Sequence, residues 1–120
     1  MASCADKLES IVLSTYVGFA LSLCKDVGIL EVLLESQKPS TSTEIADKRD
    51  LKERYVRELL GSLATAEVIH VSTSDTGSLV YYLDDAVKSL LRTQLMAYVS
   101  GPVLMIPAYN KIKSCLPKIG

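Results

Sequence analysis

From Asp6 to about Lys25 the sequence has no proline and is dense in helix-compatible apolar residues, among them Leu8, Val12, Leu13, Val17, Ala20 and Leu21. Ile11, Tyr16, Phe19 and Leu23 join them, and together these positions cover far more than the ~100° stripe that one packed face of a helix requires. A helix that is apolar nearly all round has to lie between two neighbours. A chain of 120 residues makes one domain with a single modest core and has little material to spare for covering it. The expected solution is a second copy of the chain. An obligate homodimer typically buries about 2,000 Å² or more in total, and Ile11, Tyr16, Phe19 and Leu23 are the candidate interface residues.

Charge narrows the partners further. Thirteen Lys and Arg oppose 14 Asp and Glu, a formal net charge of −1, so no whole-chain positive field attracts nucleic acid or an anionic membrane. Cys4, Cys24 and Cys115 are odd in number and form no CxxC pair, the pattern of reduced thiols in a cytoplasmic or nuclear protein. Met1–Ser10 carries Asp6, Lys7 and Glu9 rather than the basic start of a secretory signal. The uncharged stretch Thr93–Asn110 approaches membrane-spanning length. Gly101, Pro102 and Pro107 interrupt it, so it reads as two buried helices and no membrane is expected.

The middle of the chain has the sharpest local signals. Gly28 ends the first helix, and Ile29–Leu34 forms a short second one before a polar loop. Thr41-Ser42-Thr43-Glu44 has capping-box spacing and starts a third helix. Asp50-Leu51-Lys52-Glu53 repeats that logic, predicting a fourth helix from about Leu51, with Leu51, Tyr55, Leu59 and Leu63 in its buried rhythm and Val56, Leu60 and Ala66 beside them. Two capped helices joined by a few residues predict a helix-turn-helix. Val68–Val71 and Leu79–Leu83, separated by Ser72–Ser78, predict a β-hairpin wing. Asp84 or Asp85 then caps a helix carrying Val87, Leu90, Leu91, Leu95 and Tyr98, and a last helix spans roughly Val103–Ser114. The expected fold is mainly α: one winged helix-turn-helix domain over 1–120, with its core at about 28–91 and helical extensions at 6–25 and 84–115.

These residues carry a family resemblance. Gly28-Ile29-Leu30 with Val32-Leu33, Pro39 and Thr41, Glu44-Ile45-Ala46, Arg54–Leu60 with Leu63, and Tyr82-Leu83 together resemble the N-terminal winged-helix region of S-adenosylmethionine-dependent methyltransferases, which include small-molecule O-methyltransferases. The likeness spans about Gly28–Leu91. It implies a dimerisation module that helps cover the substrate site of a following Rossmann-like catalytic domain, and S-adenosylmethionine as cofactor of such a parent enzyme. The chain reaches Gly120 about where that domain would begin, as expected of a dissected domain, a truncated isoform or a stand-alone relative. The same skeleton of residues occurs in winged-helix transcription regulators, so it argues for fold more than for activity. No two glycines lie closer than Gly18 and Gly28, so the chain has no Gly-rich cofactor loop, and neither a cofactor nor catalysis is expected of it alone.

The alternative reading is a DNA-binding regulator using Lys52, Arg54 and Arg57. Against it, acidic residues outnumber basic ones between Thr41 and Glu67, and Glu53–Arg57 and Arg54–Glu58 stand at i, i+4 spacing, where each arginine's field is cancelled. His70, the sole histidine, has no Cys or His at ligand spacing and reads as a partly buried or edge residue of a strand; no metal site is expected. Tyr98, Met105 and Tyr109, beside the glycine and proline breaks, are candidate pocket residues for a small-molecule sensor. The reading these observations favour is a non-catalytic, homodimeric association module.

Overall fold

The computed structural model of the protein describes residues 1–118. Its first helix, α1 (Cys4–Asp26), begins at a capping box in which Ser3 Oγ accepts from the Asp6 amide and the Asp6 carboxylate accepts from the Ser3 amide. Gly28, in the left-handed region at φ 89°, turns the chain into α2 (Ile29–Glu35). The turn requires glycine for its positive φ; the Arg49 side chain also passes 2.8 Å from where a Cβ at Gly28 would sit, and would have to shift.

The helix-turn-helix consists of α3 (Ser42–Arg49) and α4 (Glu53–Thr65). Thr41 caps α3 with both bonds of the expected box. Asp50 does not cap α4. It takes the left-handed conformation (φ 54°) that ends α3, and α4 starts at Glu53 rather than Leu51, without a side-chain cap. The Glu53 carboxylate instead accepts from Ser42 Oγ at 2.7 Å, tying the first turns of the two helices together. The buried stripe of α4 is Val56, Leu60 and Leu63, at i, i+4 and i+7 on one face; Tyr55 and Ala66 are exposed and Leu51 and Leu59 half-buried.

α4 closes with Glu67 left-handed at φ 62°, the Glu67 amide donating to Ala64 and the Val68 amide to Leu63. That turn occupies Val68, so the wing begins at β1 (His70–Thr73) rather than at Val68. β1 pairs antiparallel with β2 (Leu79–Tyr82), from His70 opposite Tyr82 to Thr73 opposite Leu79, and Tyr81 exchanges two backbone hydrogen bonds with Ser40, at 2.8 and 3.0 Å. The core lies where the C-terminal third of α1 meets α2, α3, α4 and the wing base, with Cys24, Ile29, Leu30, Ile45, Leu60 and Leu63 fully enclosed.

Beyond the wing the structure departs most from the sequence pattern. Asp84 caps α5 (Asp85–Leu90), accepting from the Val87 amide at 2.8 Å. Lys88 Nζ and the Arg92 guanidinium then donate to the Ser36 and Leu34 carbonyls, placing two cations at the C-terminal end of α2. A π-turn (Leu91–Leu95), kinked at Thr93, leads to the single turn α6 (Met96–Tyr98). The expected break is present as a turn at 99–100, after which α7 (Gly101–Leu104) starts with proline in its first turn, where no hydrogen bond is left unmade. A second interruption falls at Met105–Ala108, where a 3₁₀ turn (Ile106–Ala108) precedes α8 (Tyr109–Cys115), so Val103–Ser114 is not one helix. Nor is 93–110 a pair of buried helices: among its described side chains only Ser100 is buried.

Candidate functional site

α1 divides into two unlike halves. Ala20, Ser22 and Cys24 face the domain core, with Val17 and Leu21 packed beside them. Every residue from Met1 to Tyr16 is exposed, including Leu8, Ile11, Val12 and Leu13. Of the four expected interface residues, Tyr16 retains 73% and Ile11 66% of its accessible surface, and Phe19 and Leu23 also lie outside the core. Among the described residues none supplies the second neighbour that the all-round apolar pattern demands.

The C-terminal tract repeats this condition. Leu104, Met105, Ile106, Tyr109, Ile112 and Leu116 are exposed, and α7 is anchored beside the C-terminal end of α1, where Ser100 Oγ donates to the Asp26 carboxylate at 3.2 Å. The chain exposes 8857 Å², whereas a compact folded monomer of its mass exposes about 6,400 Å². Its radius of gyration of 17.2 Å likewise exceeds the roughly 14 Å of a compact domain of this length. Tyr98, Met105 and Tyr109 are all exposed, and none lines the broad groove between α1 and α4, whose walls are formed by Asp6–Ala20 and Glu58–Ala66.

The presumed reading helix, α4, presents Lys52, Arg54 and Arg57 to solvent. Arg54 lies 3.5 Å from Glu58 and Arg57 3.7 Å from Glu53, the two pairs anticipated from the spacing. Lys52 Nζ stands 5.9 Å over the Tyr55 ring. Two of the three cations thus face an intrahelical carboxylate.

At the base of the wing, His70 is an exposed residue at the edge of the two-stranded sheet, stacks on Tyr82 at 5.0 Å and donates from Nε2 to the Asp84 carboxylate at 3.0 Å. The bond from His70, followed by that from the Val87 amide, holds the Asp84 carboxyl below its ordinary value of 3.8. Bonds from Ser3 and Thr41 lower Asp6 and Glu44 in the same way. The sequence offered Asp84 or Asp85 as the cap, and Asp84 is the one used; its pairing with His70 was not legible, because only the hairpin register brings residues 14 apart into contact. Burial pushes the Cys24 thiol up to about 12. Among the described residues no group of three or more His, Cys, Asp or Glu side chains can hold a metal ion.

Among the described residues the one sheet is a two-stranded antiparallel hairpin, with no parallel strand–helix unit of the kind that cradles a nucleotide cofactor in a Rossmann-like fold.

Sequence comparison decides the family. Residues 15–93 match the Rv2258c-like winged HTH domain. The chain belongs to that family. Its match covers the core half of α1, the helix-turn-helix, the wing and α5, and leaves most of the exposed flanks outside. A search of curated proteins finds no match. Among solved structures, this winged HTH domain is similar to human N-acetylserotonin methyltransferase in complex with SAM, at a TM-score of 0.57 and 16% identity over 71% of this chain and 24% of that one. The chain thus spans about a quarter of the methyltransferase's length. Looser likenesses are to Lactococcus lactis ZitR (C30AH42A mutant, apo form), at a TM-score of 0.49 and 18% identity over 98% of this chain and 86% of that one, and to the MarR family transcription regulator SP03579, at 0.48 and 22% over 94% and 82%. At such identities the likeness is one of fold.

Among the described residues, α1 is also long and apolar enough to cross a membrane by length and composition. Its uncharged stretch, Ser10–Cys24, is about 22 Å long at ~1.5 Å per residue, short of the ~30 Å hydrocarbon core. The C-terminal end of that stretch is already buried in the winged HTH core.

Proposed function

We propose that this winged HTH domain, taken as one unit over 1–120, is a non-catalytic association module that forms a homodimer through α1 and the C-terminal helices. The observation that carries the reading is the surface excess of about 2,500 Å², from 8857 Å² in the single chain against the compact-monomer value. That excess is concentrated where the apolar side chains are exposed, on the outer half of α1 and on α7–α8. It is of the size that obligate dimers remove from water. Such a module belongs in the cytoplasm or nucleus, where its thiols stay reduced.

The likeness to part of the human methyltransferase supports a parent of that class, in which a catalytic domain would supply the S-adenosylmethionine site and this module the assembly and the substrate lid. Of the pocket candidates Tyr98, Met105 and Tyr109, the first two lie outside the 106–116 segment and would then be the residues available to cover a substrate.

Sedimentation velocity at micromolar concentration tests the association. A dimer that Phe19→Asp or Leu23→Asp converts to folded monomer supports the reading, and a compact wild-type monomer overturns it. DNA binding is the competing function of the fold. It predicts a salt-sensitive mobility shift with duplex DNA that is lost on substituting Lys52, Arg54 and Arg57. The ion pairs of α4 argue for no shift.

A further inference from the structure

We infer that the groove between α1 and α4 receives the 106–116 segment, the 3₁₀ turn and α8, of a second copy of this chain. The inference rests on the association reading above and names the surface and its occupant.

The charge distribution along the chain carries the argument. All 14 acidic residues precede Ala86, whereas Ala86–Gly120 contains Lys88, Arg92, Lys111, Lys113 and Lys118 and no Asp or Glu. The head of the molecule is therefore net negative and the tail net positive, although the whole is close to neutral. The groove lies on the head. Asp6, Glu9 and Glu58 stand on its rim, and no Lys or Arg lines it. Asp6 is bonded to Ser3 and Glu58 to Arg54, while Glu9 has no ionic partner among the described residues. The floor is apolar, built by Leu13, Val17 and Ala20, and a Cβ placed at Gly61 on the opposite wall would meet nothing within 4 Å. A helix backbone can therefore approach closely.

The tail has the complementary form. Ile106, Tyr109, Ile112 and Leu116 recur at helical spacing and are all exposed, with Lys113 beside the stripe and Lys111 nearer the opposite face. The groove follows α1 from Asp6 to Ala20, about 21 Å at ~1.5 Å per residue, and the 106–116 segment is about 16 Å long on the same rise. In its own chain this segment departs from the far end of α1, where Ser100 is held to Asp26, and Tyr109–Leu116 lies in solvent. Two copies exchanging tails would fill both grooves, cover both apolar stripes and set lysines against carboxylates at each rim.

A charge swap in the full chain tests this. Glu9→Lys alone and Lys113→Glu alone should each raise the dimer dissociation constant about tenfold at low salt. The double variant should return it to within about threefold of wild type, with helix content unchanged by circular dichroism. Independent effects that simply multiply in the double variant, or no effect from any of the three, overturn the docking. If the wild type is nevertheless a dimer that Phe19→Asp dissociates, the association reading stands while this surface falls; a wild-type monomer removes both. A second measurement does not depend on charge. In a Cys4→Ser background, a short bis-maleimide should link Ser10→Cys to Cys115 between two chains. A link confined to one chain, or none, overturns the exchange.

Discussion

The His70 ring and the Asp84 carboxylate meet at 3.0 Å across the base of the wing, and the other oxygen of Asp84 accepts from the first turn of α5. One side chain thus fastens the hairpin to the helix that leaves it. Because the Asp84 carboxyl titrates below 3.8 in the folded chain, its stabilising effect is complete above that value and is lost as pH falls through the lowered one. The thermal midpoint should therefore drop as pH decreases below about 4. Asp84→Asn should flatten part of that drop, leaving the share due to Asp6 and Glu44. A melting series across acid pH checks this, and an unchanged acid slope in the variant counts against it.

The core and the outer face of α1 should answer differently to substitution. Leu60 is fully enclosed, so Leu60→Ala should cost about 2–5 kcal/mol in urea unfolding. Phe19→Asp should leave the folded signal of a diluted sample intact and act on oligomeric state alone. Equal destabilisation by both would place Phe19 in the core.

Glu67 sits at φ 62° to close α4. Glycine adopts this conformation without the Cβ penalty, so Glu67→Gly should raise stability by about 1 kcal/mol. Gly28→Ala should do the reverse, since φ there is 89° and the Arg49 side chain fills the space a methyl group needs. Denaturant midpoints of the two variants should move in opposite directions.

Thiol labelling reads the burial of α1. Cys4 and Cys115 are exposed, whereas Cys24 is buried with its thiol pushed up to about 12. A maleimide reagent at neutral pH should modify Cys4 and Cys115 quickly and Cys24 only on unfolding. Rapid modification of all three would contradict the packing of α1 on the core.

Where a signal was local and unambiguous, the sequence could be read directly. Thr41 and Glu44 announced α3, and Gly28 announced the first turn. Asp50 could not be placed the same way. Aspartate both caps helix starts and tolerates the left-handed conformation at helix ends, and only the packing of α3 on α4 selects between them. Within α4 the expected face held Val56 and Leu60 beside Tyr55, Leu59 and Leu63, and the core takes Val56, Leu60 and Leu63 while leaving Tyr55 exposed. The break at Gly101-Pro102 was legible, whereas the second one near Pro107 was not carried into the expected last helix, since a proline reads alike as a helix stop and as a first-turn residue. The excess of apolar side chains at both ends was legible from composition. The α1–α4 groove was not, because it depends on which face of α1 the core leaves open.

The bare half of α1 makes chain abundance a structural variable. A helical stretch of about a dozen residues without tertiary contacts is marginal in water, and Met1–Tyr16 is exposed throughout. A scarce copy, meeting no companion, would fray from its first residue and offer that strand to proteases, while a plentiful one would bury it. The concentration of the chain would then help set how much of this polypeptide survives intact.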